Sequence, residues 1–156
     1  MLDRLIALIK QNDLKAVTDL IVNKHIDSSI INQLDKIGLY PLYYAIGYAD
    51  YDMIKLLIDN GANVDIQSDN LRPTLQACVM LSNQDTRTLR LLIDKGASVN
   101  AKDSIGCTAL HSACYGKTAM VRILIEAGAN VNDDVQNVNI HRHSPLYIAT
   151  HHVTMK

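Results

Sequence analysis

The chain has no tryptophan and no phenylalanine, so its seven tyrosines are the only aromatic side chains, and a core must be filled mainly by Leu, Ile, Val and Ala. It also lacks an excess of either charge. Fifteen Lys plus Arg stand against 16 Asp plus Glu, a formal net charge of -1, which gives no broad positive field to hold phosphate backbones or anionic lipid. Cysteine is scarce: Cys78, Cys107 and Cys114 are an odd number at spacings unlike a disulfide framework, which points to a reducing, intracellular setting. Long apolar runs are missing too. Leu5 to Ile9 is stopped by Lys10 and preceded by Asp3, too short for a signal-peptide core, and nothing approaches the roughly 18 apolar residues of a membrane span. No glycine-rich phosphate loop or pair of catalytic carboxylates appears, so nothing supports an enzyme. What remains is 156 residues, 48% hydrophobic and 20% charged, the size and balance of one ordinary soluble domain.

Laid on itself, the chain repeats. Met53-Ile-Lys-Leu-Leu-Ile-Asp-Asn-Gly-Ala-Asn-Val-Asp65, Thr88-Leu-Arg-Leu-Leu-Ile-Asp-Lys-Gly-Ala-Ser-Val-Asn100 and Met120-Val-Arg-Ile-Leu-Ile-Glu-Ala-Gly-Ala-Asn-Val-Asn132 superpose almost letter for letter. Their glycines, Gly61, Gly96 and Gly128, are 35 and 32 residues apart. Within the first copy Ile54, Leu57 and Ile58 share one helical face, Leu56 widens the stripe and Lys55 points outward, which predicts a buried helix. Each glycine supplies the left-handed conformation that ends a helix, and Ala-Asn-Val-Asp reads as chain leaving it.

A second signature is in phase with the first: Tyr40-Pro-Leu-Tyr-Tyr-Ala45, Pro73-Thr-Leu-Gln-Ala-Cys78, Thr108-Ala-Leu-His-Ser-Ala113 and Ser144-Pro-Leu-Tyr-Ile-Ala149. A hydroxyl residue or proline suits a helix start, and the small residue at Ala45, Cys78, Ala113 and Ala149 lets a paired helix approach. Helices this short are marginal alone, so stacking must hold them.

These two motifs resemble the Thr-Pro-Leu-His-x-Ala and Leu-Leu-x-x-Gly-Ala-x-Val-Asn patterns of ankyrin repeats, over roughly residues 35 to 150. The resemblance implies an all-α fold, a solenoid of stacked helix-turn-helix units with β-hairpin-like fingers. It divides the chain into a divergent capping repeat (1–34), repeats at 35–67, 68–102 and 103–133, and an incomplete repeat at 134–156. In the cap, Leu2 to Ile9 and Leu14 to Val22 read as two helices joined at Asn12-Asp13, and Lys24 stands where the helix-ending glycine would be. The middle repeat is longer, with a polar Ser82-Asn-Gln-Asp-Thr86 reading as an extended turn between its helices. The family's bracing Thr and His occur together only at Thr108 and His111; Tyr40 with Tyr43, and Pro73 with Gln76, stand in elsewhere, predicting less rigid turns there. Asp133 to Arg142 reads as a long polar finger, and the final helix around Ile148 lacks a partner and is expected to fray.

His111 and Cys114 lie three apart on one helix, the spacing of a nucleophilic pair, but they occupy the turn and small-residue core positions of the repeat and read as structural. His141, His143, His151 and His152 lack the spacing of a zinc site, so neither metal nor cofactor is expected. Of the clustered tyrosines Tyr40, Tyr43, Tyr44, Tyr48 and Tyr51, Tyr44 is the one expected to reach a partner as a binding anchor.

The resemblance implies a module that binds another protein through its concave surface. Carried onto this chain, the variable tip positions are Lys36, Ile37 and Leu39, then Asp69, Asn70 and Arg72, then Ser104 and Ile105. The partner is expected to be an intracellular, host signalling protein and the chain a monomer in the cytoplasm, with no nucleic acid or membrane bound. The Pro-Leu-Tyr-Tyr-Ala and Pro-Leu-Tyr-Ile-Ala variants are similar to ankyrin proteins of poxviruses and other large DNA viruses, which places it in a host cell. The alternative is the substrate-reading part of a ubiquitin-ligase adaptor without its recruiting segment, or an inert remnant of one.

Overall fold

A computed structural model describes residues 1–65, 72–81, 85–133 and 144–145. It divides into two compact units, Met1–Val64 and Asp65–Lys156. The described residues form helices and turns, with no strand among them.

The first unit holds α1 (Leu2–Lys10), α2 (Leu14–Val22), a single turn α3 (Ser28–Ile31), α4 (Pro41–Tyr48) and α5 (Tyr51–Asp59). Two helix pairs stack in register: α1 packs on α2 and α4 on α5, while α1 also packs on α4 and α2 on α5. The stripe read from the sequence is the buried face of α5, where Ile54, Leu57 and Ile58 are inside and Lys55 outside. The short turns carry their own caps. Asp13 accepts from Ala16 N at 3.0 Å to start α2, and Asp50 accepts from Met53 N to start α5. The turn α3 was not apparent from hydrophobic pattern; it exists because Asp27 accepts from the backbone N–H groups of Ser29 and Ile30, and Ile31 is buried beneath it.

The second unit holds α6 (Thr74–Leu81), α7 (Thr86–Asp94), α8 (Ala109–Ala113) and α9 (Thr118–Glu126). The pairing repeats, α6 with α7 and α8 with α9, with α6 on α8 and α7 on α9. Of the expected long turn before α7, Asp85 is an N-cap, accepting from Arg87 N at 2.9 Å, and Thr86 already belongs to the helix; 82–84 lie outside the described residues. The incomplete final repeat lies almost wholly outside them too. The small-residue position behaves as predicted, with Ala45, Cys78 and Ala113 all 0% exposed against their partner helices.

The loops between repeats are tied by a second recurring contact. Asn32 donates to Gly61 O at 2.7 Å and accepts from Asn63 N at 2.7 Å; Asn100 does the same with Gly128 O at 3.1 Å and Asn130 N at 2.8 Å. Asp65 accepts from both the backbone N and the hydroxyl of Ser98, each at 2.9 Å. Asp65 and Asn100, which close their Gly-Ala-x-Val-x motifs, and Asn32, which follows α3, are thus staples satisfying the backbone of the following repeat.

The glycines end their helices as expected, with φ of 92° at Gly61, 94° at Gly96 and 89° at Gly128. Lys24 adopts φ 55° and makes the same pair of closing bonds, Lys24 N to Ile21 O and His25 N to Leu20 O, both 3.0 Å. A side chain in that conformation costs roughly 1–2 kcal/mol, partly offset by the backbone freedom that glycine loses on folding. Lys24→Gly is expected to stabilise the chain by about 1 kcal/mol, raising Tm by roughly 3 °C in a thermal scan. An unchanged or lower Tm would mean that the lysine stem makes a packing contribution which outweighs the strain.

Candidate functional site

Two described finger turns have the same construction. In the first unit the turn Asp35-Lys-Ile-Gly-Leu39 is closed by Asp35 N to Leu39 O at 3.0 Å and Gly38 N to Asp35 O at 3.1 Å. In the second, Asp103-Ser-Ile-Gly-Cys107 is closed by Asp103 N to Cys107 O and Gly106 N to Asp103 O, both 2.9 Å. Gly38 and Gly106 hold φ of 80° and 87°, a geometry glycine adopts without penalty. These are the hairpin-like fingers, built as tight turns rather than strand ladders.

The aspartate side chain fixes each turn from within. One oxygen of Asp35 accepts from Ile37 N and Leu39 N, both 2.9 Å, and the other from the Tyr44 hydroxyl at 2.6 Å. Asp103 repeats the scheme, accepting from Ile105 N at 3.1 Å and Cys107 N at 2.8 Å through one oxygen and from Gln76 Nε2 at 2.8 Å through the other. Burial opposes the Asp35 charge, but the hydrogen bonds from Tyr44 and the turn backbone outweigh it and hold the carboxyl below its usual range. Tyr44 moves the other way, pushed up to about 12 by burial first and then by the Asp35 carboxylate.

The consequence for the expected residues is uneven. Lys36 and Ile37 stand exposed at the first tip, Ile37 at 74%, and Leu39 is half-buried at the end of the turn. Ser104 and Ile105 stand at the second tip, Ile105 at 36%. Arg72 is exposed just ahead of α6, while Asp69 and Asn70 lie outside the described residues. Tyr44 requires a correction. It is 7% exposed and spends its hydroxyl on Asp35, so it supports the first finger from below instead of presenting a ring to a partner; Tyr48, 64% exposed, is the open tyrosine of that helix. The brace residues Asp35 and Asp103 were missed as functional positions. Their signal was present in the sequence as the repeated Asp-x-Ile-Gly.

The first finger does have a brace where the family's Thr and His are absent, the Tyr44 hydroxyl bonded to Asp35. In the second unit Gln76, in the histidine position, braces the finger of the following repeat. Where Thr and His do occur together, Thr108 N donates to His111 Nδ1 at 3.1 Å, which places the imidazole proton on Nε2 and makes the neutral ring the bonded form. His111 is 1% exposed, and burial, only partly offset by Asp133 and Asp103, lowers its pKa from 6.5. The unfolded chain therefore takes up a proton near pH 6.5 while the folded chain resists it, so stability present above that pH is lost as pH falls below it. The urea midpoint of the wild type should drop between pH 7 and 5, whereas His111→Gln, the residue used at position 76, should flatten that part of the profile; parallel profiles would assign the drop elsewhere.

His111 is thus engaged in a helix cap, and burial pushes the Cys114 thiol up, so the two do not form an activated pair. Burial likewise raises the Cys107 thiol, followed by the charge of Asp103. Among the described residues no three His, Cys, Asp or Glu side chains are grouped to hold a metal ion, and no helix is long and apolar enough to cross a membrane. The four C-terminal histidines lie outside the described residues.

A family model described as "Ankyrin repeats (3 copies)" matches residues 5–103 and 75–155. Among curated relatives, the B-cell lymphoma 3 protein homolog of Mus musculus is 32% identical over 140 residues, covering 87% of this chain and 29% of that protein. An ankyrin repeat protein of Acanthamoeba polyphaga mimivirus is 31% identical over 111 residues, 70% of this chain and 14% of its own length. One from fowlpox virus is 34% identical over 95 residues, 60% of this chain and 13% of its own. The chain thus spans less than a third of each of these relatives.

Proposed function

Because the chain belongs to the ankyrin-repeat family, whose repeats are non-enzymatic protein–protein interaction modules, we propose that it binds an intracellular protein through its finger tips and first helices. The observation that carries this reading is the pair of exposed isoleucines on internally braced turns. An apolar side chain at a tip costs solubility and does nothing for the core, but it makes a good contact when its backbone is already ordered, because little conformational entropy is left to lose on binding. Lys36 beside Ile37 and Ser104 beside Ile105 give each tip a polar neighbour. Relatives in fowlpox virus and mimivirus favour a partner from a host cell, and a signalling protein is the class we propose.

The test is capture from animal-cell lysate with the wild type and with the double variant Ile37→Asp, Ile105→Asp, read by mass spectrometry and followed by affinity measurement on the captured protein. Loss of a hot-spot contact is expected to weaken binding about tenfold or more while the thermal transition is retained, since both residues are exposed. Capture of the same proteins at the same affinity by both forms would sink the tip reading.

A further inference from the structure

In the first unit, the helix beneath the finger carries a pair of neighbouring tyrosines, Tyr44 and Tyr48, where the second unit's described helices have no tyrosine. Its surface is uncharged: α4 carries no Asp, Glu, Lys or Arg. The charge on it comes from elsewhere. Lys10, the last residue of α1, lays its ammonium 4.4 Å from the Tyr44 ring centroid and 5.8 Å from that of Tyr48, the two rings lying 6.4 Å apart. Tyr44 is buried and Tyr48 largely exposed, so the cation sits on an aromatic floor that is open on one side. Lys36 adds a second exposed ammonium on the turn whose aspartate holds Tyr44. Neither lysine is paired with a carboxylate among the described residues. The acids flanking the patch along the chain are engaged: Asp35 in its turn and by Tyr44, and Asp50 in capping α5 and accepting from Asn12 Nδ2 at 2.9 Å.

We infer that this patch docks an acidic segment of a partner protein in which a carboxylate side chain neighbours an aliphatic or aromatic one, the carboxylate meeting Lys10 and the apolar group lying on Tyr48. The inference rests on the protein-binding reading above and names the chemistry of the partner. A ring face holds an ammonium in place without neutralising it, so Lys10 arrives ordered and still able to attract an anion. The exposed Tyr48 ring offers area at small entropic cost beside it. Two cations are too few for the counterion release that drives phosphate-backbone binding, and the chain as a whole is not basic.

The experiment is an amide-resolved NMR titration of the full chain with N-acetyl-Glu-Leu-Glu-Leu-Glu-amide and with its Lys-for-Glu counterpart, at low and high salt. The acidic peptide is expected to shift the amides of Lys10, Ile37 and Tyr48, less so at high salt, and the basic one to leave them. Lys10→Glu, checked for an unchanged thermal transition, should weaken the acidic peptide about fivefold, and Tyr48→Ala should weaken it as well. Shifts that are absent, lie elsewhere, or survive Lys10→Glu unchanged overturn the proposal. So does a response of the same amides to an oligodeoxythymidylate or to phosphatidylserine vesicles in place of the peptide. If partner capture depends on the isoleucine tips while Lys10→Glu leaves the captured protein's affinity untouched, the acidic-segment proposal falls and the protein-binding reading stands.

Discussion

Leu57→Ala is expected to lower the unfolding free energy by about 4 kcal/mol. Leu57 is fully buried in α5, a helix that packs on α4 and α2, so removing three carbons leaves a cavity that short, mutually braced helices cannot close cheaply. Its neighbour is the control. Leu56 has the same side chain one position earlier but is only half-buried, and Leu56→Ala should cost about 1 kcal/mol, in proportion to the apolar area it hides. Urea unfolding of the two variants measures the difference directly. Equal losses would mean that the helix is turned relative to its neighbours. Because stacking on adjacent repeats is what keeps helices of this length folded, the Leu57 loss should also appear as a lower cooperativity of the whole transition, not as a local fraying.

Asp103→Ala comes second, at about 3 kcal/mol. The carboxylate accepts from two backbone N–H groups of its own turn and from Gln76 Nε2, and Gln76 is 2% exposed. Deleting the acceptors strands a buried amide, and each stranded polar group costs roughly 1–3 kcal/mol, more than the bond itself contributes. Asp103→Asn separates bonding from charge. An asparagine oxygen can still hold the turn, and its amide can donate to the Gln76 oxygen, which is buried and unpartnered, once the Gln76 amide turns over. That variant is expected within about 1 kcal/mol of the wild type. If alanine were tolerated as well as asparagine, the finger would not depend on its brace, and the argument that its isoleucine tip is preordered would fail with it. Hydrogen exchange at Ile105 and Cys107, whose amides donate to Asp103, checks this at the turn itself.

Much of the fold was legible because its signals are local. The repeat period, the faces of the helices, the left-handed glycines and even the ends of α1 and α2 follow from hydrophobic spacing and from which residues tolerate positive φ, and both act within a few positions along the chain. Lys24 shows the same rule from its exception: the cap forms without glycine because the bonds that close it are made by the backbone. The site was legible only in part. Lys36, Ile37, Ser104 and Ile105 stand at tips, where a position in the motif is enough to settle exposure. Tyr44 was misjudged because its side chain faces an aspartate nine residues earlier and a lysine from another helix, and no pattern within α4 encodes either contact. Gln76, Asp103 and Lys10 likewise draw their roles from neighbours in adjacent repeats. What the sequence determined by itself is the unit that recurs, since backbone propensity and periodicity are properties of short segments. Which side chains brace a finger and which stay free to bind was decided only by stacking, because burial and hydrogen-bond partners exist only once one repeat lies against the next.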